Sequence, residues 1–263
     1  MKMKLMNNIV LRTLKCLKLA YKLLKDKEYL ESANKNELEL NKKPTRTDVI
    51  NYLLTIAKNE TNYLEIGVRD PNDNFNHIVA DHKYSVDPGY EFGQNPVDFQ
   101  LTSDEFFNKV DNDQILNKNI KFDVIFIDGL HLAEQVNRDI INSLRYIKDD
   151  GFIVLHDCNP PTEWHARENY YFFNSPAKCF WNGTTWKAFL KYRFDNSIYS
   201  CCIDTDWGVG ILSPKHQIGS AIKVENLFYE YEVFNKNRVK FLNLLEFNAF
   251  KDKIKANIKS SKA

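Results

Sequence analysis

The chain has 263 residues, of which 43% are hydrophobic, and a net charge of +1. This length suits one large α/β domain with appended segments, and so balanced a charge provides no general attraction to nucleic acid or to an acidic partner. No apolar run reaches the roughly 18 residues needed to cross a bilayer, so we predict no membrane span. The five cysteines follow neither a disulfide nor a zinc spacing, which indicates a reducing, cytoplasmic setting.

Residues 1–30 have the periodicity of an amphipathic helix with a basic face. Such a helix either lies on an anionic membrane surface or packs on its own domain or on a second subunit, which would make a homo-oligomer. Residues 31–44 are polar and predict a linker, so we divide the chain into an N-terminal extension over 1–44 and one domain over 45–263. A helix over 45–58 opens that domain. The apolar stripe consists of Ile9, Val10, Leu14, Leu17, Ala20, Leu23 and Leu24.

The first half of the predicted sheet lies between residues 62 and 101. Short apolar runs bounded by polar loops predict three strands, over residues 62–68, 84–87 and 97–101. A short helix is expected to begin within residues 77–80, and a longer one at Glu105. This alternation of strands and helices is typical of a parallel sheet with helices on its faces.

Residues 122–161 have the pattern of strand, acidic turn, helix, strand and acidic turn. The apolar run 122–127 predicts a strand buried on both faces, a helix follows over 132–147, and Gly151 marks its end before a strand over 152–155. Two strands joined by one helix run parallel, so their carboxyl ends meet at the edge where open α/β sheets bind ligands. The side chains expected to converge there are Asp128, His131, His156 and Asp157.

Residues 159–192 begin with two prolines, which prevent a helix directly after the strand, and are rich in aromatic residues. We expect an insertion that covers the site as a lid, with rings that stack on a sugar or base and cations that contact phosphate. The alternative is that the rings form the core of the insertion. Residues 198–203 and 209–212 predict an antiparallel pair, and residues 231–255 a terminal helix. The rings belong to Trp164, Tyr170, Tyr171, Phe172, Trp181 and Trp186, and the cations are Arg167, Lys178 and Lys187.

Asp87 lies twenty residues after Gly67 and ends the second predicted strand. In Rossmann-like folds a carboxylate at this place binds the ribose hydroxyls of a nucleotide. A dinucleotide needs a glycine-rich loop for its pyrophosphate, whereas the loop after Gly67 is acidic and has no further glycine. S-adenosylmethionine has no phosphate and carries a sulfonium cation, so this loop is compatible with it, and Ser103 or Asp104 would then bond to its adenine.

The segments LEIGV, SVDP, TSDEFF, FDVIFIDGLHLAEQVNRDI and GFIVLHDCNPP together resemble class I S-adenosylmethionine-dependent methyltransferases. The subgroup they resemble has an IDG-x-H turn and includes bacterial small-molecule and sugar O-methyltransferases. The resemblance covers about residues 60–160. It implies a Rossmann-like, doubly wound α/β sheet that is mostly parallel with an antiparallel last strand, and it places Glu65, Gly67 and Asp87 at cofactor-binding positions.

Methyl transfer to a hydroxyl requires assistance, because an alcohol is too weak an acid to lose its proton unaided. Carboxylates suit Mg²⁺ or Mn²⁺, and an added histidine shifts the preference toward Mn²⁺ or Fe²⁺. The resemblance to sugar methyltransferases implies that Asp128 and Asp157 hold such a cation and that His131 is the general base. His156 departs from the family pattern and is either a further ligand or a residue that points into the sheet. Alternatively, Asp128 contacts the cofactor or caps the following helix with no metal bound.

The sequence therefore predicts an O-methyltransferase that acts on a small polyol. The expected substrate is a sugar or nucleotide-linked sugar for a surface polysaccharide. A divalent cation and a histidine base are expected to assist the reaction. Three alternatives remain open. They are a metal-free methyltransferase in which His131 alone is the base, a nicotinamide-dependent oxidoreductase, and a non-catalytic module that docks through its N-terminal helix.

Overall fold

The computed structural model of the chain describes residues 2–57, 59–91 and 96–260, and side chains from residue 9 to residue 258 within these ranges. The first residue of the predicted N-terminal helix and the last of the helix predicted over 45–58 lie outside them. The helices are α1 (Lys2–Leu23), α2 (Lys27–Asn41), α3 (Arg46–Leu54), α4 (Ser103–Asp111), α5 (Ala133–Tyr146), α6 (Thr185–Arg193), α7 (Tyr231–Lys236), α8 (Arg238–Leu242) and α9 (Phe247–Ser260). The strands are β1 (Asn62–Ile66), β2 (His82–Val86), β3 (Phe122–Ile127), β4 (Ile147–Leu155), β5 (Tyr199–Ile203), β6 (Val209–Ser213) and β7 (Leu244–Leu245). No helix among the described residues has the length and apolar character needed to cross a membrane.

One sheet contains these strands in the order β2-β1-β3-β4-β6-β5-β7. The first four pair in parallel, β6 runs antiparallel to both of its neighbours, and β7 is parallel to β5. The predicted mostly parallel α/β sheet with an antiparallel strand near the end is therefore confirmed. Since β1 has β2 on one side and β3 on the other, the direction of winding reverses between β1 and β3, which is where such sheets bind ligands.

Both faces of the sheet are covered by helices. Side chains of β1, β3 and β4 alternate between two buried clusters, one packed against α3 and α9 and the other against α4, α5 and α6. On the first face Val124 and Phe126 are fully buried, and on the second Ile125 and Ile153 are. Removing a buried ring such as that of Phe126 would cost about 3–5 kcal/mol of stability. The packed sheet thus fixes the positions of the strand ends.

Residues 31–44, predicted as a polar linker, lie mostly in α2. Asp26 caps this helix by accepting hydrogen bonds from two amides of its first turn. The linker prediction was wrong because it relied on apolar periodicity, whereas the buried face of α2 is polar. That face bonds to residues around 162–165 and to the amide of Trp207, through Ser32, Asn36 and Glu39.

The third strand predicted over 97–101 is reduced to a single bridge between Val86 and Phe99. The carboxylate of Asp98 accepts a hydrogen bond from the amide of Ser85 at 2.9 Å, which replaces a backbone ladder contact. The chain then turns into the capping box of α4, where Thr102 and its third following residue bond reciprocally. The helix predicted from residue 105 therefore begins two residues earlier.

The terminal helix predicted over 231–255 is divided into α7, α8, β7 and α9. Asn243 ends α8 in the left-handed region with φ of 46°, which asparagine tolerates, and its side chain donates to two carbonyl oxygens at 3.1 Å. This break lets Leu244–Leu245 pair with the edge of β5. Gly151, predicted to end the preceding helix, lies instead inside β4, because α5 already ends at Tyr146.

Candidate active site

The carboxyl ends of β3 and β4 bring four titratable side chains together, as predicted. Ile127 of β3 pairs with Leu155 of β4, so the residues that follow them, Asp128 and His156, lie side by side. The amide of Asp128 also donates to a β1 carbonyl at 2.8 Å, which fixes this turn between two strands. Asp157 then adopts a left-handed φ of 60° as the chain leaves the sheet.

The two carboxylates and two imidazoles form one contiguous network. Asp128 Oδ1 lies 3.3 Å from His131 Nε2 and 3.2 Å from His156 Nδ1. Asp157 Oδ2 lies 3.1 Å from His131 Nδ1 and 3.2 Å from His156 Nδ1. Each carboxylate therefore contacts both rings.

The charges of this network stabilise one another. Burial alone would lower the pKa of His131, but Asp157 and Asp128 outweigh it and raise that pKa to about 9. Burial likewise opposes a charged His156, yet Asp128 and Asp157 raise its pKa well above the usual value. The pKa of Asp128 would rise on burial, but His156 and His131 hold it well below its usual range. Each buried carboxylate is thus balanced by positive charge in direct contact.

His131 is oriented by residues 181–184, which we call the lid strap. Its Nδ1 lies 3.0 Å from the carbonyl oxygen of Trp181, so Nδ1 carries the proton and Nε2 presents its lone pair when the ring is neutral. The Trp181 ring stacks on the imidazole at 5.1 Å. The Thr184 amide donates to the His131 carbonyl at 2.7 Å. Gly183 allows this approach, because it has φ of +59° and a Cβ there would lie 2.1 Å from the same carbonyl oxygen.

Asn182 of the lid strap holds the second carboxylate. Its Nδ2 donates to Asp157 Oδ1 at 2.7 Å and also lies 3.3 Å from the carbonyl oxygen of Trp207. The Asn182 side chain is fully buried, so this donor has no competition from bulk water. The hydrogen bond leaves Asp157 Oδ2 for the two imidazoles. Sequence reasoning missed Asn182, which no periodicity connects to the sheet edge.

Asp206 and Arg46 complete the network and were also missed. Asp206 Oδ1 lies 3.1 Å from His156 Nε2 and 3.3 Å from Arg46 Nη1, and its Oδ2 accepts from the Arg46 amide at 2.7 Å. Although burial opposes it, His156 and Arg46 lower the pKa of Asp206 well below its usual range. Arg46 Nε in turn lies 3.9 Å from Asp128 Oδ2. The available signal was the acid-rich turn Asp204-Thr-Asp-Trp-Gly208 before the reversed strand.

Residues 206–208 have three consecutive positive φ angles, of 45°, 62° and 91°. For Trp207 this conformation costs of order 1–3 kcal/mol and persists only where surrounding contacts impose it. Here the Trp207 amide donates to Glu39 of α2 at 3.2 Å, and its carbonyl accepts from the Asn159 amide at 2.9 Å. Gly208 fits because a Cβ would lie 2.3 Å from Asn159. The strained turn directs Asp206 toward His156.

The end of β1, with the predicted cofactor residues Glu65 and Gly67, lies beside this network. Gly67 has φ of +91°, and a Cβ there would lie 2.4 Å from the carbonyl oxygen of Asp128. Burial raises the pKa of Glu65 to about 7, although hydrogen bonds from Tyr63 at 2.6 Å and from Asn74 at 2.9 Å act to lower it. These residues fit S-adenosylmethionine: the bare Gly67 turn would admit its methionine part, and the carboxylate following β2 would accept the ribose hydroxyls.

Ser103 and Asp104 are directed toward α5 rather than toward the four-residue network. Ser103 Oγ donates to Asp139 Oδ1 at 2.6 Å, and Asp104 Oδ2 pairs with Arg138 Nε at 3.2 Å. Burial raises the pKa of Asp139 to about 6, because the hydrogen bonds from Ser103 and Gln135 compensate only in part. An adenine contact by Ser103 or Asp104 remains a prediction.

The aromatic insertion is shorter than predicted. Residues from 185 onward belong to α6, and Trp186 is buried against Phe234 of α7 with ring centroids 4.5 Å apart, so it is a core residue. Arg167, predicted to contact phosphate, donates to backbone carbonyls of the insertion itself, including that of Lys178 at 2.7 Å. The exposed rings that remain available to a ligand belong to Tyr170, Tyr171, Phe172 and Phe173.

The donor set fits a divalent cation. Asp128, His131 and Asp157 each offer one ligand atom, and these atoms lie within 4.8 Å of one another. Two carboxylates with an imidazole suit Mn²⁺ or Fe²⁺. His156 is the other nitrogen candidate, since Nδ1 faces both carboxylates while Nε2 contacts Asp206, as outer carboxylates orient metal-bound histidines. His131 as base and His156 as ligand remain predictions.

The sheet is doubly wound, and a glycine turn and two acidic turns lie where the direction of its winding reverses. These features are typical of Rossmann-like α/β enzymes that bind a cofactor. Residues 52–158, which include β1 to β4, match the family described as a methyltransferase domain. This match agrees with the resemblance to class I methyltransferases that the motifs predicted. No curated protein matches it.

The chain is also similar, at low sequence identity, to several solved structures. An O-methyltransferase from Bacillus cereus in complex with SAH is 14% identical, with a TM-score of 0.41, covering 71% of this chain and 89% of that one. A protein from Corynebacterium glutamicum is 12% identical, with a TM-score of 0.42 and coverages of 76% and 93%. The O-methyltransferase TomG from Streptomyces achromogenes, in complex with SAM, is 11% identical, with a TM-score of 0.37 and coverages of 72% and 90%.

Proposed function

We propose that this methyltransferase transfers the methyl group of S-adenosylmethionine to a hydroxyl of a small polyol, with the assistance of a divalent cation. The observation that carries the proposal is the contact between the Gly67 turn and the Asp128 turn. This contact supports the proposal, because the turn that would bind the cofactor is then close to the carboxylates of Asp128 and Asp157. Methyl donor and acceptor hydroxyl would therefore meet at one point.

The charge of the network favours a cation. Asp128, Asp157 and Asp206 carry three negative charges against one positive charge on Arg46, so the buried group needs about two more positive charges. Two imidazolium ions supply them, but a protonated His131 has no lone pair with which to accept a proton. A divalent cation on the carboxylates supplies the same charge and leaves His131 neutral.

The chain's own residues would then act as follows. A bound cation would polarise the acceptor hydroxyl and make it more acidic. The hydroxyl oxygen forms a bond to the methyl carbon as the carbon–sulfur bond breaks, and the hydroxyl proton passes to His131 Nε2. Because Trp181 accepts from Nδ1–H at 3.0 Å, the imidazole stays in the tautomer that can receive it.

The substrate class is inferred from the lid and the oxygen-binding acids. The exposed rings of Tyr171, Phe172 and Phe173 offer faces for a sugar ring, and adjacent hydroxyls of a polyol can chelate one cation. A sugar or nucleotide-linked sugar for a surface polysaccharide, modified in the cytoplasm, is the substrate we propose. Arg167 is not part of that proposal, because its donors already serve the insertion.

The test combines calorimetry with a methyl-transfer assay. Titration with S-adenosylhomocysteine should show micromolar binding, and a panel of sugars and nucleotide-linked sugars should yield a methylated product only when Mn²⁺ or Mg²⁺ is present. Asp157→Asn should abolish turnover and leave cofactor binding intact, whereas Asp204→Asn, in the nearby turn but paired with Lys42, should leave both intact. Full activity after exhaustive chelation would refute the metal and favour the metal-free alternative. An absence of cofactor binding would refute the function itself.

An experiment can distinguish whether His131 acts as the general base or as a ligand of the cation. If His131 is the base, His131→Ala should slow turnover by about 10²–10⁴-fold and retain the cation, because Asp128, Asp157 and His156 remain. If His131 is a ligand, the same variant should lose cation affinity in parallel with activity. Equilibrium dialysis against Mn²⁺, run beside the turnover assay, distinguishes the two outcomes.

A further inference from the structure

The part of helix α1 whose side chains the structure describes, from residue 9 onward, is covered by no other described part of the chain. Every residue from 9 to 22 is exposed, although the helix is rich in large apolar side chains. Five of these, which would ordinarily seek burial, are between 53% and 62% exposed: Ile9, Val10, Leu14, Leu17 and Tyr21. Packing of this helix on its own domain, one of the predicted arrangements, is thus not seen among the described residues. An apolar surface of this length marks an interaction site.

The side chains of α1 are sorted into two faces. At about 100° per residue, Ile9, Leu14, Leu17 and Tyr21 share one half of the helix with Val10. The other half carries the basic residues Arg12, Lys15, Lys18 and Lys22, interrupted by Leu11 and Leu19. A helix with one apolar face and one basic face is built to lie in the plane between water and lipid, with long cationic side chains reaching the headgroups.

The charge of the chain is distributed unevenly. Residues 1–25 contain seven basic residues and no acidic residue, so residues 26–263 carry a net charge of −6 if the whole chain carries +1. Two α1 helices packed against each other would bring these like charges together without any acid to offset them. An anionic surface is the complementary partner, since each Lys or Arg near anionic lipid adds to binding.

From these observations we propose that α1 docks the enzyme on the surface of an anionic lipid membrane. The helix lies along the headgroups with its apolar face inward and its basic face toward the lipid phosphates. It does not cross the bilayer, because its lysines prevent that. This proposal is independent of the acceptor substrate and of the cation. It concerns the surface on which the enzyme binds and not a chemical step.

The test is sedimentation of the full chain with vesicles of phosphatidylcholine alone or mixed with phosphatidylglycerol. Binding should require the anionic lipid and weaken as salt is raised, because the attraction is screened within about a Debye length. Lys15→Glu, Lys18→Glu and Lys22→Glu combined should weaken binding by roughly 100-fold. A control with the same change of charge on exposed lysines of the domain combines Lys118→Glu, Lys236→Glu and Lys240→Glu.

A second variant tests the apolar face. Leu14→Ser combined with Leu17→Ser should reduce vesicle binding while S-adenosylhomocysteine affinity and thermal unfolding stay unchanged, because both leucines are exposed. Equal binding to neutral vesicles, or full binding by the lysine variant, would overturn the proposal. A concentration-dependent dimer that needs Leu14 and Leu17, without vesicle binding, would also overturn it and favour a second copy of the chain as the partner.

Discussion

Replacing Asn182 by alanine tests whether the lid strap positions Asp157. The change removes the 2.7 Å hydrogen bond to Asp157 Oδ1, in a place where Asn182 is fully buried and Asp157 only 6% exposed. A hydrogen bond to a charged group contributes about 1.5–3 kcal/mol, and a buried acceptor left without its donor loses that stabilisation. We therefore expect the free energy of unfolding to fall by about 2–3 kcal/mol in urea.

The same change should weaken cation binding. If Asp157 is a ligand, the loss of its orienting partner should lower Mn²⁺ affinity by about 10–100-fold, as for other outer-shell partners. S-adenosylhomocysteine affinity should stay unchanged, because Asn182 does not contact the Gly67 turn among the described residues. Calorimetric titration measures both affinities on one sample.

Ser175→Ala is the matched control. Ser175 lies in the same insertion and is buried, but its hydroxyl has no hydrogen-bond partner among the described residues. Its removal should change stability and Mn²⁺ affinity little. An Asn182→Ala protein that binds Mn²⁺ as tightly as the unmodified enzyme would refute the positioning role, whatever its stability.

Three further predictions concern other parts of the fold. Gly67→Ala should destabilise the protein by about 1–3 kcal/mol in thermal unfolding, because φ is +91° and the new Cβ would meet the neighbouring turn; an unchanged Tm would contradict the geometry. Burial raises the pKa of Asp139 to about 6 in the folded protein. Its contribution to the free energy of unfolding is therefore fully present below about pH 4 and is lost as the pH rises through 6. As the pH rises from about 4.5 to 7, the free energy of unfolding of Asp139→Asn, measured in urea, should therefore increase by about 2 kcal/mol relative to that of the unmodified protein. Parallel pH curves for the two proteins would refute this. Asp206→Asn should lower Mn²⁺ affinity about 10-fold by releasing His156, whereas Asp204→Asn should not; equal affinities would argue against orientation by Asp206.

Local patterns in the sequence were sufficient for the centre of the sheet. The β-branched runs of β3 and β4 predicted strands, the linking helix predicted parallel pairing, and parallel pairing predicted that Asp128 and Asp157 would meet. Their shared contacts with His131 and His156, at 3.1 to 3.3 Å, confirm that convergence. The inference succeeded because each step depended on residues close together in the chain.

The remaining parts of the site depend on contacts between distant segments. Arg46 and Asp206 are 160 residues apart, and nothing in either neighbourhood indicates the other. The polar face of α2 is buried by hydrogen bonds rather than by apolar packing, so a search for apolar stripes passes over it. Asn182 likewise reaches Asp157 from an irregular loop. Such positions follow from tertiary structure, which composition and periodicity do not encode.

The strained turn at residues 206–208 lies outside the segment that matches the family, although it orients a residue inside that segment. The segment that matches the family, residues 52–158, contains Asp128, Asp157 and both imidazoles of the network. Their orientation depends on side chains outside it, which include Glu39 and Arg46 before it and Asn182 and Asp206 after it. Transplanting the matched segment into a related scaffold would therefore transfer these acids and histidines without the contacts that orient them. A substitution in a flanking segment would accordingly reorient the acids and histidines of the network while leaving their identities unchanged.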